Sequence, residues 1–425
     1  MSDNSNAILG AEAISAMAHV RAERLISTQR ALARFGLRED GGVAREALTP
    51  VELDARRWLC SLFADGHYSW HVDAAANLFL RRAGREDLDP VVTGSHIDTQ
   101  PVGGWLDGAY GVIAGIEAMR ALDDAGIRTR RPIEVAVWTN EEGSRFNPGA
   151  MGSSSFADPT RLPALLQAQD VAGVRFETAR DAALAATPQA GQVPLGRRLH
   201  AYVEAHIEQG PILEAGGFTL GVVTGIQGVR WFEFTVLGSS AHAGTTPLAA
   251  RQDALMTAAR LVARIGELGE ARDDGALRIT VGRFEAAPGS INTVADHVLF
   301  TVDLRHPQES MLEDIEAALR ALAEEAGGNC RCTMRRLMQR APTRFDADVL
   351  KVIDAGVAHS GVPASRLGSG AFHDAMYLAD VCPTAMLFVP SRGGISHNPA
   401  EDTAEADLAA GARVLAGVLT ALANS

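Results

Sequence analysis

The sequence predicts an α/β protein of two domains, the smaller inserted into the larger. Three observations lead there. Short uninterrupted apolar runs alternate with helical patterns in the first half of the chain and again near its C-terminus. The middle of the chain has the order strand, helix, strand, strand, helix, strand. And 425 residues are more than one hydrophobic core usually organises.

Taken in order, residues 11–35 carry apolar side chains at helical spacing (Ile14, Met17, Val20, Leu25, Leu32), and residues 51–63 repeat the pattern after Pro50. From Tyr68 the period shortens. Residues 71–80 read as strand material, and 89–96 as a buried strand ending in Ser95-His96. A helix over 109–125 follows, then a strand over 133–138 that ends in Thr139-Asn140-Glu141-Glu142. Two strand ends therefore bring ionisable groups to one sheet edge, and the carboxyl edge of an open α/β sheet is where ligands bind. Residues 159–194 are Ala- and Gln-rich and weakly patterned, which reads as a surface insertion, while 202–208 reads as a strand. The inserted unit, 222–338, contains strand 229–237, helix 249–268, strands 277–284 and 297–304, helix 308–326 and strand 330–337, the split ferredoxin-like βαββαβ arrangement. Residues 339–425 rejoin the larger domain begun by 1–221, with helices over 347–359, 372–379 and 405–423 and a strand over 385–389.

Composition sets outer limits. A chain that is 47% hydrophobic and 21% charged is ordinary globular material, neither disordered nor fibrous. A net charge of −13 opposes nucleic acid and anionic membranes, so a small-molecule partner is expected. Cys60, Cys330, Cys332 and Cys382 lack the spacing of a disulfide framework and fit reduced thiols in a cytoplasm. No run approaches the roughly 20 uninterrupted apolar residues of a membrane span.

The residues with chemistry cluster in short motifs. His96, Asp107 and Glu142 lie at or just beyond strand ends, and imidazole and carboxylate suit zinc and its divalent neighbours. Two metals roughly 3.5 Å apart need a bridging carboxylate, for which Asp107 is the candidate. Asp98, two residues after His96, points the same way in an extended chain, so its carboxylate can orient the imidazole. Glu141 and Glu142 are adjacent, so one can bind metal while the other stays free to move protons. Asp107 could equally cap the helix it precedes. His206, in a strand-like run, and His397, in a Gly-rich loop, complete five ligands.

The motifs Thr-Gly-Ser-His96-Ile-Asp98-Thr, Gly-Gly-Trp-Leu-Asp107-Gly, Asn-Glu141-Glu142-Gly, His206-Ile-Glu-Gln209-Gly-Pro, Ala-His242-Ala-Gly-Thr-Thr-Pro and Ser-His397-Asn-Pro-Ala-Glu resemble, in this order, the hydantoinase/carbamoylase family. That family belongs to the zinc aminoacylase and carboxypeptidase superfamily and includes N-carbamoyl-L-amino-acid hydrolase, β-ureidopropionase and allantoate amidohydrolase. The resemblance implies a dinuclear metallohydrolase cleaving a ureido C–N bond. His96, Asp107 and His206 would bind one divalent ion and Asp107, Glu142 and His397 the other, with zinc, manganese, cobalt or nickel all acceptable. Glu141 would be the general base. The inserted domain would form a homodimer and bring His242 to the partner's active site as an oxyanion donor. Gln209, Asn292 and Arg305 match substrate-binding positions, and a guanidinium such as that of Arg305 grips a carboxylate bidentately. Phe372 stands where the family often has glycine, so a narrowed or reshaped substrate pocket is expected.

Overall fold

The computed structural model describes residues 2–63, 67–326 and 328–425. The chain forms two compact units, one made of Met1–Thr224 with Arg344–Ser425, the other of Gly225–Thr343.

In the first unit four parallel strands lie side by side in the order Thr384–Val389, Ala201–Ile207, Val91–His96, Ile133–Trp138. All four are buried along their whole length, the condition of strands covered on both faces. Helices Ala109–Asp124 and Glu405–Asn424 pack on each other and on this sheet, while Met151–Ala157 and Ala375–Leu378 form a separate pair against it. Helix Glu405–Asn424 is long and apolar enough to cross a membrane, but it is mostly buried, as a core helix is. An antiparallel hairpin, Tyr68–Val72 with Leu78–Arg82, extends one edge, and Leu220–Ile226 pairs antiparallel with Thr384–Val389 on the other side. Strand order reverses beside Val91–His96: the next strand, Ile133–Trp138, lies on one flank and Ala201–Ile207 on the other. Such a reversal opens a crevice at the carboxyl ends.

The second unit is a four-stranded antiparallel sheet in the order Arg278–Ala287, His297–His306, Gly228–Leu237, Arg331–Arg340. Helices Ala254–Arg272 and Glu309–Ala326 pack on this sheet. That is ferredoxin-like topology. The alternating burial of His297–His306 supplies Val298, Phe300, Val302 and Leu304 to a core shared with Leu261, Ile265, Leu312 and Leu319 of the helices.

Several elements differ from the sequence reading. Residues 11–35 hold two helices, Ser2–His19 and Ala22–Ala33, which the periodicity merged because both bury apolar faces. Residues 159–194 are not merely a surface insertion: Phe176–Ala186 is a helix whose Phe176, Ala179 and Ala183 pack on Phe146 and Met151. Its alanines bury little side chain each, so the pattern is faint in sequence. Strands Leu220–Ile226 and Ala364–Ser369 escaped notice, and the helix expected over 372–379 is only Ala375–Leu378.

Candidate active site

The carboxyl ends of the parallel strands deliver the polar residues to one place. His96 ends its strand opposite Trp138, and Phe388 is in register with His206. Asp107 precedes helix Ala109–Asp124 through Gly108, whose φ is 63°. A Cβ at Gly108 would lie 2.4 Å from Nε2 of His96, so any side chain here would have to displace that ring.

Asp107 is the hub. Its Oδ1 is 3.2 Å from Nε2 of His206 and 3.9 Å from Nε2 of His96, while Oδ2 is 3.1 Å from Nε2 of His397. Glu142 Oε2 lies 3.3 Å from the same His397 nitrogen and accepts a hydrogen bond from Gln100 Nε2 at 2.7 Å. Two groups of potential metal ligands share Asp107, His96-Asp107-His206 and Asp107-Glu142-His397, and a third, Glu204-His206-His373, shares His206. Glu141 sits beside them, with Oε2 3.4 Å from His96 Nε2.

This donor set fits divalent ions. The Nδ1 atoms of His96 and His206 each face a carbonyl oxygen at 2.9 Å, that of Asp98 and that of Ile207. A carbonyl only accepts, so Nδ1 carries the hydrogen and Nε2 is the acceptor atom; at His206 it faces the Gly108 N–H at 3.1 Å as well as Asp107. Imidazole and carboxylate donors together suit divalent transition ions.

Buried charge shapes the titration. Burial pushes His96 down to about 4. Burial also acts on His206, but contact with Asp107 outweighs it and holds the imidazole at about 9. The same contacts hold Asp107 well below the usual carboxylate range despite its burial. Burial and then the Asp107 charge raise Glu142 to about 8. Glu141 is raised well above its ordinary value, by burial first and then by the charges of Asp374 and Glu142. A carboxyl whose proton affinity is raised by its surroundings is suited to proton transfer.

Three non-glycine residues at the site have left-handed backbone: Asn140 (φ 54°), Gln209 (56°) and His397 (53°). Each adjoins or is a candidate functional residue, where such strain commonly concentrates.

Asp98 departs from the expected role. Its carboxylate is 3.9 Å from His96 Nδ1, and its carbonyl oxygen orients the ring instead. The carboxylate accepts hydrogen bonds from the backbone N–H groups of Glu141 (3.3 Å) and Glu142 (3.2 Å), fixing the two glutamates. A freely extended chain would have aimed the side chain at the ring; the turn after the strand aims the carbonyl there. Gln209 also reaches the centre, donating from Nε2 to Asp107 Oδ2 at 2.9 Å.

In the second unit, His242 and Asn292 come together. The strand Ala241–His242 pairs with Thr293–Val294, and Ala243 N–H donates to the carbonyl oxygen of Asn292 at 2.9 Å. Arg305 lies on strand His297–His306, with Nη2 2.8 Å from Asp303 Oδ2.

Two buried residues of the centre were not singled out from sequence. Glu401 accepts hydrogen bonds from the N–H groups of Leu106 and Asp107. His373 packs edge-on against His206, ring centroids 4.5 Å apart, with Nε2 2.9 Å from Ser369 Oγ. Glu401 ends the Ser-His397-Asn-Pro-Ala-Glu motif and His373 follows Phe372, but nothing in either segment indicates which distant groups these side chains meet.

The fold and this carboxylate-bridged histidine cluster place the chain among metal-dependent hydrolases of one class. It belongs to the peptidase family M20/M25/M40, whose pattern matches residues 92–421. The chain is similar to the N-carbamoyl-L-amino-acid amidohydrolase of Rhizobium meliloti, 38% identical over 404 residues, covering 93% of this chain and 95% of the relative. It is also similar to the allantoate amidohydrolase of Bacillus subtilis, 33% identical over 403 residues and covering 92% and 95%. Among solved structures, a hydantoinase/carbamoylase family amidase from Burkholderia multivorans superposes with a TM-score of 0.87 at 42% identity, over 96% of this chain and 98% of the other.

Proposed function

We propose that this enzyme hydrolyses the ureido C–N bond of an N-carbamoyl-L-amino acid, giving the free amino acid, carbon dioxide and ammonia. The observation that carries the reading is Asp107, whose two carboxylate oxygens face separate histidine clusters with Glu141 alongside. His96, Asp107 and His206 would hold one divalent ion and Asp107, Glu142 and His397 the other. When bound, such ions acidify water and polarise the substrate carbonyl.

The remaining work falls to the chain. The Glu141 carboxylate takes a proton from the attacking water and returns it to the leaving nitrogen. Asp98 keeps Glu141 and Glu142 in place through their backbone amides. Arg305 and Asn292 receive the substrate carboxylate, Gln209 makes a further contact with the substrate, and His242 of a partner subunit steadies the developing oxyanion. The inserted unit thus serves as dimerisation and lid domain of a cytoplasmic homodimer. Similarity to an N-carbamoyl-L-amino-acid amidohydrolase at 38% identity supports the substrate class.

Similarity to an allantoate amidohydrolase supports a second reading, in which the same residues act on a different ureido acid. Ammonia release by metal-reconstituted protein from N-carbamoyl-L-amino acids, N-carbamoyl-β-alanine, allantoate and ureidoglycolate separates them. Preference for the first confirms the proposal, preference for another reassigns the substrate, and no release from any overturns ureido hydrolysis.

A further inference from the structure

The two candidate metal positions draw their ligands from loops far apart in sequence, and one side chain ties those loops together. Glu401 is only 2% exposed, yet its carboxylate has partners on both sides. Oε1 accepts hydrogen bonds from the N–H groups of Leu106 (2.9 Å) and Asp107 (3.1 Å), so it holds the backbone of the bridging residue itself. Oε2 accepts from Ser396 Oγ at 2.9 Å, and Ser396 immediately precedes His397. The same hydroxyl lies 3.1 Å from Asp107 Oδ2, and Gln209 Nε2 reaches both groups, at 3.3 Å and 2.9 Å.

The approach is built into the fold. A Cβ at Gly104 would fall 2.1 Å from Glu401 Oε1, so the absence of a side chain there is what lets the carboxylate reach the 106–107 amides. A buried carboxylate spends its hydrogen-bonding capacity on fixed donors or is costly to keep. Here all the donors belong to two ligand-bearing loops.

We propose that Glu401 is a positioning residue that sets the distance between the two metal positions, holding the Asp107 bridge against the His397 loop through Ser396. The inference rests on the dinuclear reading. Its geometry predicts an uneven effect: His96 and His206 are oriented by other carbonyls, so loosening the Glu401 link acts on the position that needs His397.

The test uses metal-stripped full-length protein titrated with Zn2+ in competition with a chelator of known affinity. The unaltered chain is expected to bind two ions. Ser396→Ala and Glu401→Gln are expected to retain one ion at unchanged affinity and to bind the second about 10- to 100-fold more weakly, the range seen when supporting residues of metal ligands are removed. Glu401→Gln keeps an oxygen for the two amides, and Ser396→Ala leaves those amides untouched should the first variant fail to fold. Unchanged affinity at both positions in Ser396→Ala overturns the proposal, as does equal weakening at both, which is the mark of a general structural defect. Fewer than two ions on the unaltered chain overturns the dinuclear reading, and the proposal with it, before any variant is made.

Discussion

Gly108 leaves the space that the imidazole of His96 occupies: a methyl group there would come within 2.4 Å of Nε2. The backbone at Gly108 is also left-handed, with φ 63°. Gly108→Ala therefore forces the ring away from Asp107 while the strand and helix on either side stay folded. Displacing a reacting or ligating group by about 1 Å costs on the order of 100-fold in rate. Turnover of Gly108→Ala should fall by at least that much with the circular dichroism spectrum unchanged. Near-normal turnover would mean that His96 has no part in the chemistry.

Glu141 lies 3.4 Å from His96 Nε2 yet belongs to neither cluster built on Asp107. Glu141→Gln keeps the shape and removes the proposed base. We expect kcat to drop roughly 10²- to 10⁴-fold, with metal content by elemental analysis unchanged. Loss of an ion along with activity would make Glu141 a ligand instead.

Arg45 is fully buried, and its guanidinium donates to the carbonyl oxygens of Ile97 (2.7 Å), Leu32 (3.0 Å) and Phe35 (2.8 Å). It joins the end of helix Ala22–Ala33 to the loop after His96. Burial lowers its pKa to about 10, still well above neutrality, so the charge persists. The Leu32 carbonyl oxygen also accepts from the Phe35 N–H at 3.1 Å, so Arg45→Met strands two buried acceptors, those of Ile97 and Phe35, at roughly 1–3 kcal/mol each. Urea unfolding should show a loss of about 2 kcal/mol or more; a loss under about 1 kcal/mol would mean that water replaces the guanidinium.

Removal of metal should make stability sensitive to alkali. Contact with Asp107 holds His397 at about 9, and against burial holds His206 there too; burial raises Glu142 to about 8 and Glu401 to about 7. All four are raised, so the folded state keeps protons that the unfolded chain has released. Their stabilising contribution is complete below the unfolded values and is lost as pH climbs through the folded ones. Between pH 7 and 9 the melting temperature of chelator-treated protein should fall by several degrees. Metal-loaded protein, whose ions replace those protons, should hold steady. A flat profile for the stripped protein would show that these groups titrate normally.

Much of the centre could be read from the sequence because its residues sit in short motifs at the ends of apolar strands, where geometry is nearly local. His96, Asp107, Glu142 and His206 follow from that logic. What could not be read depends on contacts between distant segments. The Arg45 clamp joins residues 32–35 to 97, and the Glu401 anchor joins 401 to 106–107. The helix Phe176–Ala186 was hidden for a different reason: small buried side chains give weak periodicity. Asp98 shows a finer limit, since spacing fixed its side but not whether carbonyl or carboxylate faces the ring.

The division of the chain also orders events in time. Candidate ligands His96, Asp107, Glu142 and His206 precede the unit Gly225–Thr343, whereas His397 and its anchor Glu401 follow it. A nascent polypeptide leaving the ribosome therefore carries one complete cluster well before the other. The whole inserted unit must be synthesised, and strand Thr384–Val389 must slot in beside Ala201–Ile207, before His397 can reach Asp107. The second cluster can therefore assemble only after the first has been synthesised, and a product terminated before residue 390 lacks it altogether.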